Sequence, residues 1–231
     1  MLIAVWSPKG GSGTSVVAAA LSLALSRRGN ARIADLAGDQ PAIFAVPRDP
    51  LEGLTGWLSG GATAPGELVE ACSVAVAPGL ELLPAGLPGS LSPALAPEAG
   101  AALAAVLRER AIPTVVDAGL ADQPALRAVV DVADASLVVL RPCYLALRRG
   151  VVRDLVRTAA GIVLIEEPAR ACGPREVSEI LDRPVLARIP LRPAIARAVD
   201  AGTLALRLPS TLLAATNSVL NSVIGPEGRA A

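Results

Sequence analysis

The chain has 231 residues, of which 52% are hydrophobic, and its 21 basic and 21 acidic side chains give a formal net charge of zero. This neutral balance argues against a broad surface for nucleic acid or for an anionic membrane. The chain contains no histidine, which excludes imidazole catalysis, Ser-His-Asp triads and most zinc sites.

The chain begins with a pattern that is typical of a phosphate-binding loop. The apolar residues Leu2 to Trp6 predict a short buried strand, and residues 16–25 predict a helix. Glycines between the two let successive N–H groups point into one concavity, where the helix dipole adds positive charge. We therefore expect the loop to bind phosphate, with a plain tight turn as the alternative. The predicted binding residues are Lys9, Gly10, Gly11, Ser12, Gly13, Thr14 and Ser15.

The loop lacks the lysine that the general P-loop pattern, G-x-x-x-x-G-K-[ST], places before its last hydroxyl residue. Thr14 stands at that position, and Ser15 stands where the magnesium-binding hydroxyl belongs. A different lysine, Lys9, precedes the first glycine. It is the only lysine in the chain, whereas arginine occupies every other basic position. This indicates that a compact ammonium group is chemically required there.

The loop resembles the deviant P-loop, K-G-G-x-G-K-[ST], of the MinD/ParA superfamily of dimerising ATPases. The small residue in place of the second lysine is most similar to the CpaE/TadZ branch, which is associated with pilus assembly and polar positioning. The resemblance implies a homodimer that binds ATP and Mg²⁺, in which Lys9 reaches the nucleotide of the partner subunit. It also implies a protein partner in a positioning, pilus or secretion assembly.

The second predicted strand, residues 31–36, contains Asp35 near its end. In the MinD/ParA superfamily this strand ends in Asp-x-Asp, and the second aspartate helps to organise the hydrolytic water. Asp35 matches the first aspartate and is a candidate magnesium ligand, whereas Ala37 stands at the second. Asp39 is a candidate catalytic residue only if the loop is rearranged, and a solvated turn or helix cap is the alternative.

The middle of the chain contains a second site motif. Residues 47–79 are rich in Gly and Pro and predict an excursion with two short helices, followed by a strand plus loop at 80–86 and a helix at 98–110. The β-branched run that follows ends in Asp117-Ala118-Gly119, which resembles the Walker B strand of the same superfamily. A carboxylate at this strand end can hold magnesium opposite the hydroxyl of Ser15.

The next predicted strand, residues 133–140, leads into a predicted helix at 145–159. Its arginines at positions 149, 153 and 157 form a stripe that could contact DNA phosphates. A solvated helix face is the alternative, because Asp154 interrupts the stripe and no aromatic residues interleave with it.

Two further strands complete the nucleotide-binding pattern. Strand 161–167 ends in Glu166 and Glu167, where the superfamily usually has an asparagine that reads the base, and this departure weakens the expectation of adenine specificity. Strand 183–190 ends in Ile-Pro, and the resemblance implies that Pro190 and Leu191 pack against the base. Helices are predicted at 193–200 and 207–224.

The alternation of strands and helices predicts an α/β fold with a mostly parallel, doubly wound sheet and helices on both faces. We expect residues 1–231 to form a single P-loop nucleotide-binding domain. Ligands bind such sheets at the carboxyl ends of the strands, which is where Asp35, Asp117 and the glycine loop fall.

The expected function is an ATP-binding, dimerising positional switch or assembly factor with weak or absent hydrolysis. The alternatives are a nucleotide-free scaffold and a DNA-binding partition ATPase, although DNA binding is not expected. Three cysteines without metal-binding spacing indicate buried free thiols in a reducing cytoplasm. No signal peptide or membrane-spanning segment is predicted, because the longest apolar run is shorter than about 20 residues. Peripheral membrane contact stays open.

Overall fold

A computed structural model of the protein describes residues 1–87 and 95–225. Eight strands within these ranges form one sheet. The strands are β1 (Leu2–Trp6), β2 (Ala31–Asp35), β3 (Val74–Ala77), β4 (Leu80–Leu83), β5 (Thr114–Asp117), β6 (Ala135–Leu140), β7 (Gly161–Glu166) and β8 (Val185–Pro190).

Helices connect these strands along the chain. They are α1 (Thr14–Ser26), α2 (Gln40–Ile43), α3 (Leu54–Ser59), α4 (Glu67–Ala71), α5 (Pro97–Glu109), α6 (Pro124–Asp131), α7 (Tyr144–Val151), α8 (Asp154–Thr158), α9 (Pro174–Leu181), α10 (Pro193–Asp200) and α11 (Ser210–Ile224).

The sheet has the strand order β3-β4-β2-β5-β1-β6-β7-β8. All neighbouring strands pair in parallel except β3, which runs antiparallel to β4. The first strand therefore lies in the middle of the sheet, and the loop after it opens where the carboxyl ends of the central strands meet. This arrangement confirms the predicted α/β fold with a mostly parallel sheet.

Two apolar cores cover the two faces of the sheet. In β1 the residues alternate, so that Leu2, Ala4 and Trp6 contribute to one core while Ile3 and Val5 contribute to the other. Helices α1 and α11 cover the second face, whereas α5, α6, α7 and α9 cover the first. Burial on both faces explains why β1 is apolar throughout.

The predicted helix at 145–159 is wrong. The chain instead forms α7 and α8, separated by Arg153, whose backbone is extended. The Arg153 guanidinium donates hydrogen bonds to the carbonyls of Leu120 and Ala121 and pairs with Asp122. These contacts hold the break in place, and the predicted arginine stripe does not form one helical face.

Strand β3, the cysteines and the lengths of the helices each bear on a prediction from the sequence. Strand β3 was not predicted, because its residues lie at the sheet edge and are half-buried or exposed. The three cysteines are free thiols, as predicted, but the prediction that they are buried is wrong, because all three are only half-buried. Among the helices of residues 1–87 and 95–225, none has the length and apolar character required to cross a bilayer.

Candidate functional site

The loop between β1 and α1 is held in shape by its own serines. Ser7 donates its N–H to the Gly119 carbonyl at 2.9 Å, and its hydroxyl donates to the Lys9 carbonyl at 2.8 Å. The Ser12 hydroxyl donates to the same carbonyl at 2.7 Å. Gly13, the last residue before α1, has a φ of 86°, a left-handed conformation that favours glycine. The loop geometry therefore depends on short side chains around one carbonyl.

The N–H groups of residues 10–15 are free to bind a ligand. They donate no hydrogen bond to any group in the described part of the chain. They lie at the N-terminus of the 13-residue helix α1, where the helix dipole places partial positive charge. The residues that carry these N–H groups line a cleft of about 860 Å³, together with residues 118–123 and five residues after β2, Leu36, Ala37, Asp39, Ala42 and Ile43. Such an array of unpaired donors suits an anion.

Two predicted carboxylates lie side by side at the end of the sheet. Asp35 and Asp117 are opposite each other in the pairing of β2 with β5, and both are fully buried. Burial, followed by the nearby charge of Asp117, raises the pKa of Asp35 to about 7. The oxygens of Asp35 accept N–H bonds from Ala37, Gly38 and Gln40. Asp35 therefore fixes the turn that follows β2.

Burial also raises the pKa of Asp117, against the opposing effect of its hydrogen bonds. Gln40 donates its side-chain N–H to Asp117 at 2.8 Å, and Gly119 donates its backbone N–H to the other oxygen at 3.2 Å. The nearby Ser15 hydroxyl lowers the pKa of Asp117 as well, although its own hydrogen bond is donated to Asp39. The predicted hydroxyl and carboxylate are therefore brought together.

Gln40 was missed by the sequence analysis, although it is fully buried at the centre of the site. Its side-chain N–H groups bond to Asp117 and to the Ser15 carbonyl, while its side-chain oxygen has no hydrogen-bond partner among the described residues. Gln40 directly follows Asp39 and is the first residue of α2, and this position is the signal by which the sequence could have indicated it.

Asp39 immediately precedes α2, but its side chain does not cap that helix. Its carboxylate accepts a hydrogen bond from the Ser15 hydroxyl at 3.0 Å. Both Asp39 and Ala37 line the cleft, and Ala37 also lies beside Gly119. Asp39 is exposed at the end of the turn after β2, as the solvated-turn alternative expects, and it lies within hydrogen-bond reach of the first turn of α1.

The oxygen donors of the site fit Mg²⁺. Ser15, Asp39 and Asp117 supply a hydroxyl and carboxylates, which are hard ligands, and the unpaired Gln40 oxygen is a further buried acceptor beside them. Over the described ranges, no three Asp, Glu, Cys or His side chains form a complete metal cage. A Mg²⁺ ion at this site would need further ligands from phosphate and water.

Lys9 does not line the cleft. Its ammonium group donates to the Gly10 carbonyl at 3.3 Å on the exposed side of the loop, and no ion pair within the described ranges includes it. The side chain is therefore available to another molecule.

An apolar pocket of about 190 Å³ adjoins the cleft and shares Ser12 and Gly13 with it. Pro190 and Leu191, both predicted from the sequence, line this pocket. Arg141 lines both cavities. The cleft and the pocket are therefore adjacent cavities, and the pocket is the more apolar of the two.

Glu166 and Glu167, at the end of β7, are engaged in ion pairs. Glu166 pairs with Arg188 at 2.6 Å, and Glu167 pairs with Arg141 at 3.0 Å. Arg170 shares Glu167 with Arg141.

No protein-family model matches the sequence, and the curated proteins give no match. Solved structures do match. MinD complexed with Mg-ADP from Pyrococcus horikoshii is 19% identical with a TM-score of 0.79, over 98% of this chain and 97% of that one. A ParA family ATPase from Chlorobium tepidum is 20% identical with a TM-score of 0.75, over 93% and 96%. An ATP complex of an McdA variant from Cyanothece is 14% identical with a TM-score of 0.73, over 96% and 95%. The chain therefore has the fold of the MinD/ParA ATPases.

Proposed function

We propose that the protein is a member of the MinD/ParA superfamily that binds ATP and Mg²⁺ and acts as a dimerising positional switch or assembly factor. One observation carries the proposal: residues 10–15, whose N–H groups are unpaired, line a cleft that shares lining residues with an apolar pocket. The N–H groups suit the phosphates, and the apolar pocket at Pro190 and Leu191 suits the base.

Magnesium would be held by the Ser15 hydroxyl and the Asp117 carboxylate, with Asp35 and Asp39 in the surrounding shell. When bound, the ion neutralises part of the phosphate charge. It would also remove the desolvation penalty of two adjacent buried carboxylates, which now have only hydrogen-bond donors around them. The raised pKa values of Asp35 and Asp117 support a site that is completed by a cation.

Hydrolysis is proposed to be weak or absent. Thr14 replaces the lysine that would contact the phosphates from within the same chain, and Ala37 occupies the place of the second aspartate. Asp39 could substitute only after releasing the hydroxyl of Ser15, to which it is bonded. We therefore expect a protein that responds mainly to nucleotide binding.

The exposed ammonium of Lys9 supports the proposed homodimer, because a side chain that leaves its own cleft can reach that of a second subunit. One solved neighbour is a septum site-determining protein. By analogy we infer a protein partner in a positioning, pilus or secretion assembly of the CpaE/TadZ kind.

Calorimetric titration with ATP and Mg²⁺ tests nucleotide binding, and size-exclusion chromatography tests the dimer. We expect saturable binding and an ATP-dependent shift to a dimer. Lys9→Ala should abolish the shift, whereas Arg27→Ala, which removes an exposed charge at the other end of α1, should keep it. Wild-type protein that gives no heat and no thermal shift at millimolar ATP would instead be a nucleotide-free scaffold. An unchanged dimer in Lys9→Ala would contradict the contact between subunits.

A further inference from the structure

We propose that Arg141 contacts the nucleotide's α-phosphate and supplies, from within the same chain, the positive charge that the phosphate loop lacks. This inference rests on the proposed function. It follows from the charge of the cleft, from the position of Arg141 between the two cavities, and from the ion pair that holds its guanidinium group.

The charged side chains that line the cleft are unbalanced. Three of them are acidic, Asp39, Asp122 and Asp200, and within the described residues Arg141 is the single cationic one. Thr14 has replaced the usual lysine, and Lys9 does not line the cleft. A nucleotide phosphate chain that enters the cleft of one subunit would therefore meet one cation, Arg141.

The sheet topology explains why Arg141 lies beside the phosphate loop. It follows β6 directly, and β6 is the neighbour of β1, whose end leads into the loop. Arg141 lines both the cleft and the apolar pocket, so it lies where the two adjoin. Five other residues line both cavities, Ser12, Gly13, Val16, Val199 and Asp200, and none of them is cationic. With the base in the apolar pocket and the outer phosphates on the N–H groups of residues 10–15, the α-phosphate would lie at that junction.

The guanidinium group of Arg141 is held in place and is only partly satisfied. Its Nη1 pairs with Glu167 at 3.0 Å, and the Glu167 side chain is 12% exposed. Arg170 pairs with the same carboxylate, so the three side chains together keep a net positive charge. The Nε of Arg141 is buried and has no hydrogen-bond acceptor among the described residues. A buried donor of this kind is normally paired, which points to an acceptor supplied by a ligand.

The neighbouring strands provide a matched control. Arg188 on β8 pairs with Glu166 at 2.6 Å, much as Arg141 pairs with Glu167, but Arg188 lines neither cavity. Removing either arginine breaks one ion pair at the end of β7. Only the removal of Arg141 should change the phosphate site.

The test measures the affinity for ADP and for ATP, each with Mg²⁺, by calorimetry in the wild type and in Arg141→Ala, Arg141→Gln and Arg188→Ala. A charge-assisted hydrogen bond corresponds to a loss of about tenfold to 150-fold. We expect Arg141→Ala and Arg141→Gln to lose this much for both nucleotides, because both contain the α-phosphate. Arg188→Ala should bind as the wild type does. Thermal melting without nucleotide checks that each variant is folded.

The outcomes separate this inference from the proposed function. If the wild type binds neither nucleotide, the proposed function fails and the role of Arg141 fails with it. If the wild type binds and the Arg141 variants bind equally well, only this inference is overturned. An equal loss in Arg188→Ala would also overturn it, as would a loss confined to ATP, which would move the contact to the γ-phosphate.

Discussion

Strand β2 carries two buried charged side chains whose surroundings differ. Arg32, near its amino end, is fully buried and lies 2.5 Å from Glu70 and 3.8 Å from Glu81. Asp35, at its carboxyl end, is equally buried, but the residue opposite it is a second carboxylate, Asp117. At the amino end of β2 the positive charge of Arg32 is neutralised by carboxylates of the same chain. At the carboxyl end two carboxylates lie side by side.

This difference separates a structural charge from a functional one. Burying a charge is unfavourable unless it is paired, and the charge of Arg32 is paired with Glu70, although its Nε and Nη1 have no hydrogen-bond acceptor among the described residues. Asp35 and Asp117 are surrounded by dipoles, from backbone N–H groups and from the amide of Gln40. Adjacent carboxylates with raised pKa values mark a place where a cation from outside the chain would be stabilising.

The largest expected effect is on the pH dependence of stability. The pKa of Asp35 rises from 3.8 to about 7 on folding, so the folded chain holds this proton more tightly. Protonated Asp35 therefore stabilises the folded chain. This contribution to the free energy of unfolding is fully present below about pH 4 and is lost as the pH rises to about 7, with a total change of about 4 kcal/mol. Asp35→Asn should remove this part of the slope. Urea unfolding at pH 4.5, 6 and 7.5 measures the free energy of unfolding of the wild type and of the variant. The same pH dependence in both proteins would contradict the prediction.

The next effect tests the paired end of the strand. Glu70→Ala removes the main partner of buried Arg32 and leaves Glu81 at 3.8 Å. We expect a loss of about 3 kcal/mol in the free energy of unfolding, because an unpaired buried charge is strongly destabilising. Glu67→Ala is the control, since Glu67 is an exposed acid on the same helix. Similar urea midpoints for the two variants would contradict the claim that Glu70 neutralises the buried charge of Arg32.

The smallest effect concerns the metal. Magnesium ligands must be deprotonated, so the Mg²⁺-dependent part of ATP affinity should fall about tenfold between pH 8 and pH 6. Asp35 lies opposite the proposed ligand Asp117 and is itself a candidate ligand from the sequence, so its pKa of about 7 sets this window. ATP titrations in the presence of Mg²⁺ and in the presence of EDTA, at both pH values, separate the Mg²⁺-dependent part of the affinity from binding of the nucleotide alone. A Mg²⁺ effect that is the same at both pH values would show that the buried carboxylates do not take part.

The sequence predicts the central strands and the loop because their signals are local. The apolar run Leu2 to Trp6 and the glycines after it need no knowledge of the rest of the chain. Strand β3 escapes prediction because an edge strand depends on its pairing with β4. The break between α7 and α8 is equally non-local, since Arg153 is held by Asp122, which is 31 residues away.

The site is predicted only where a residue belongs to a motif. Ser15 and Asp117 lie together as their motifs indicate. Gln40 and Arg141 belong to no recognised pattern, and their importance comes from strand adjacency, which places them between the loop and the neighbouring strand ends. Such residues are visible only once the sheet order is known.

The outward ammonium of Lys9 has a consequence for regulation. In the proposed dimer each nucleotide is enclosed by two chains, so the population of the enclosed state rises with the square of the monomer concentration. A moderate local enrichment of the protein, at a pole or on a scaffold, would then produce a disproportionate change in nucleotide occupancy. A graded distribution in the cell would thereby become a sharp boundary.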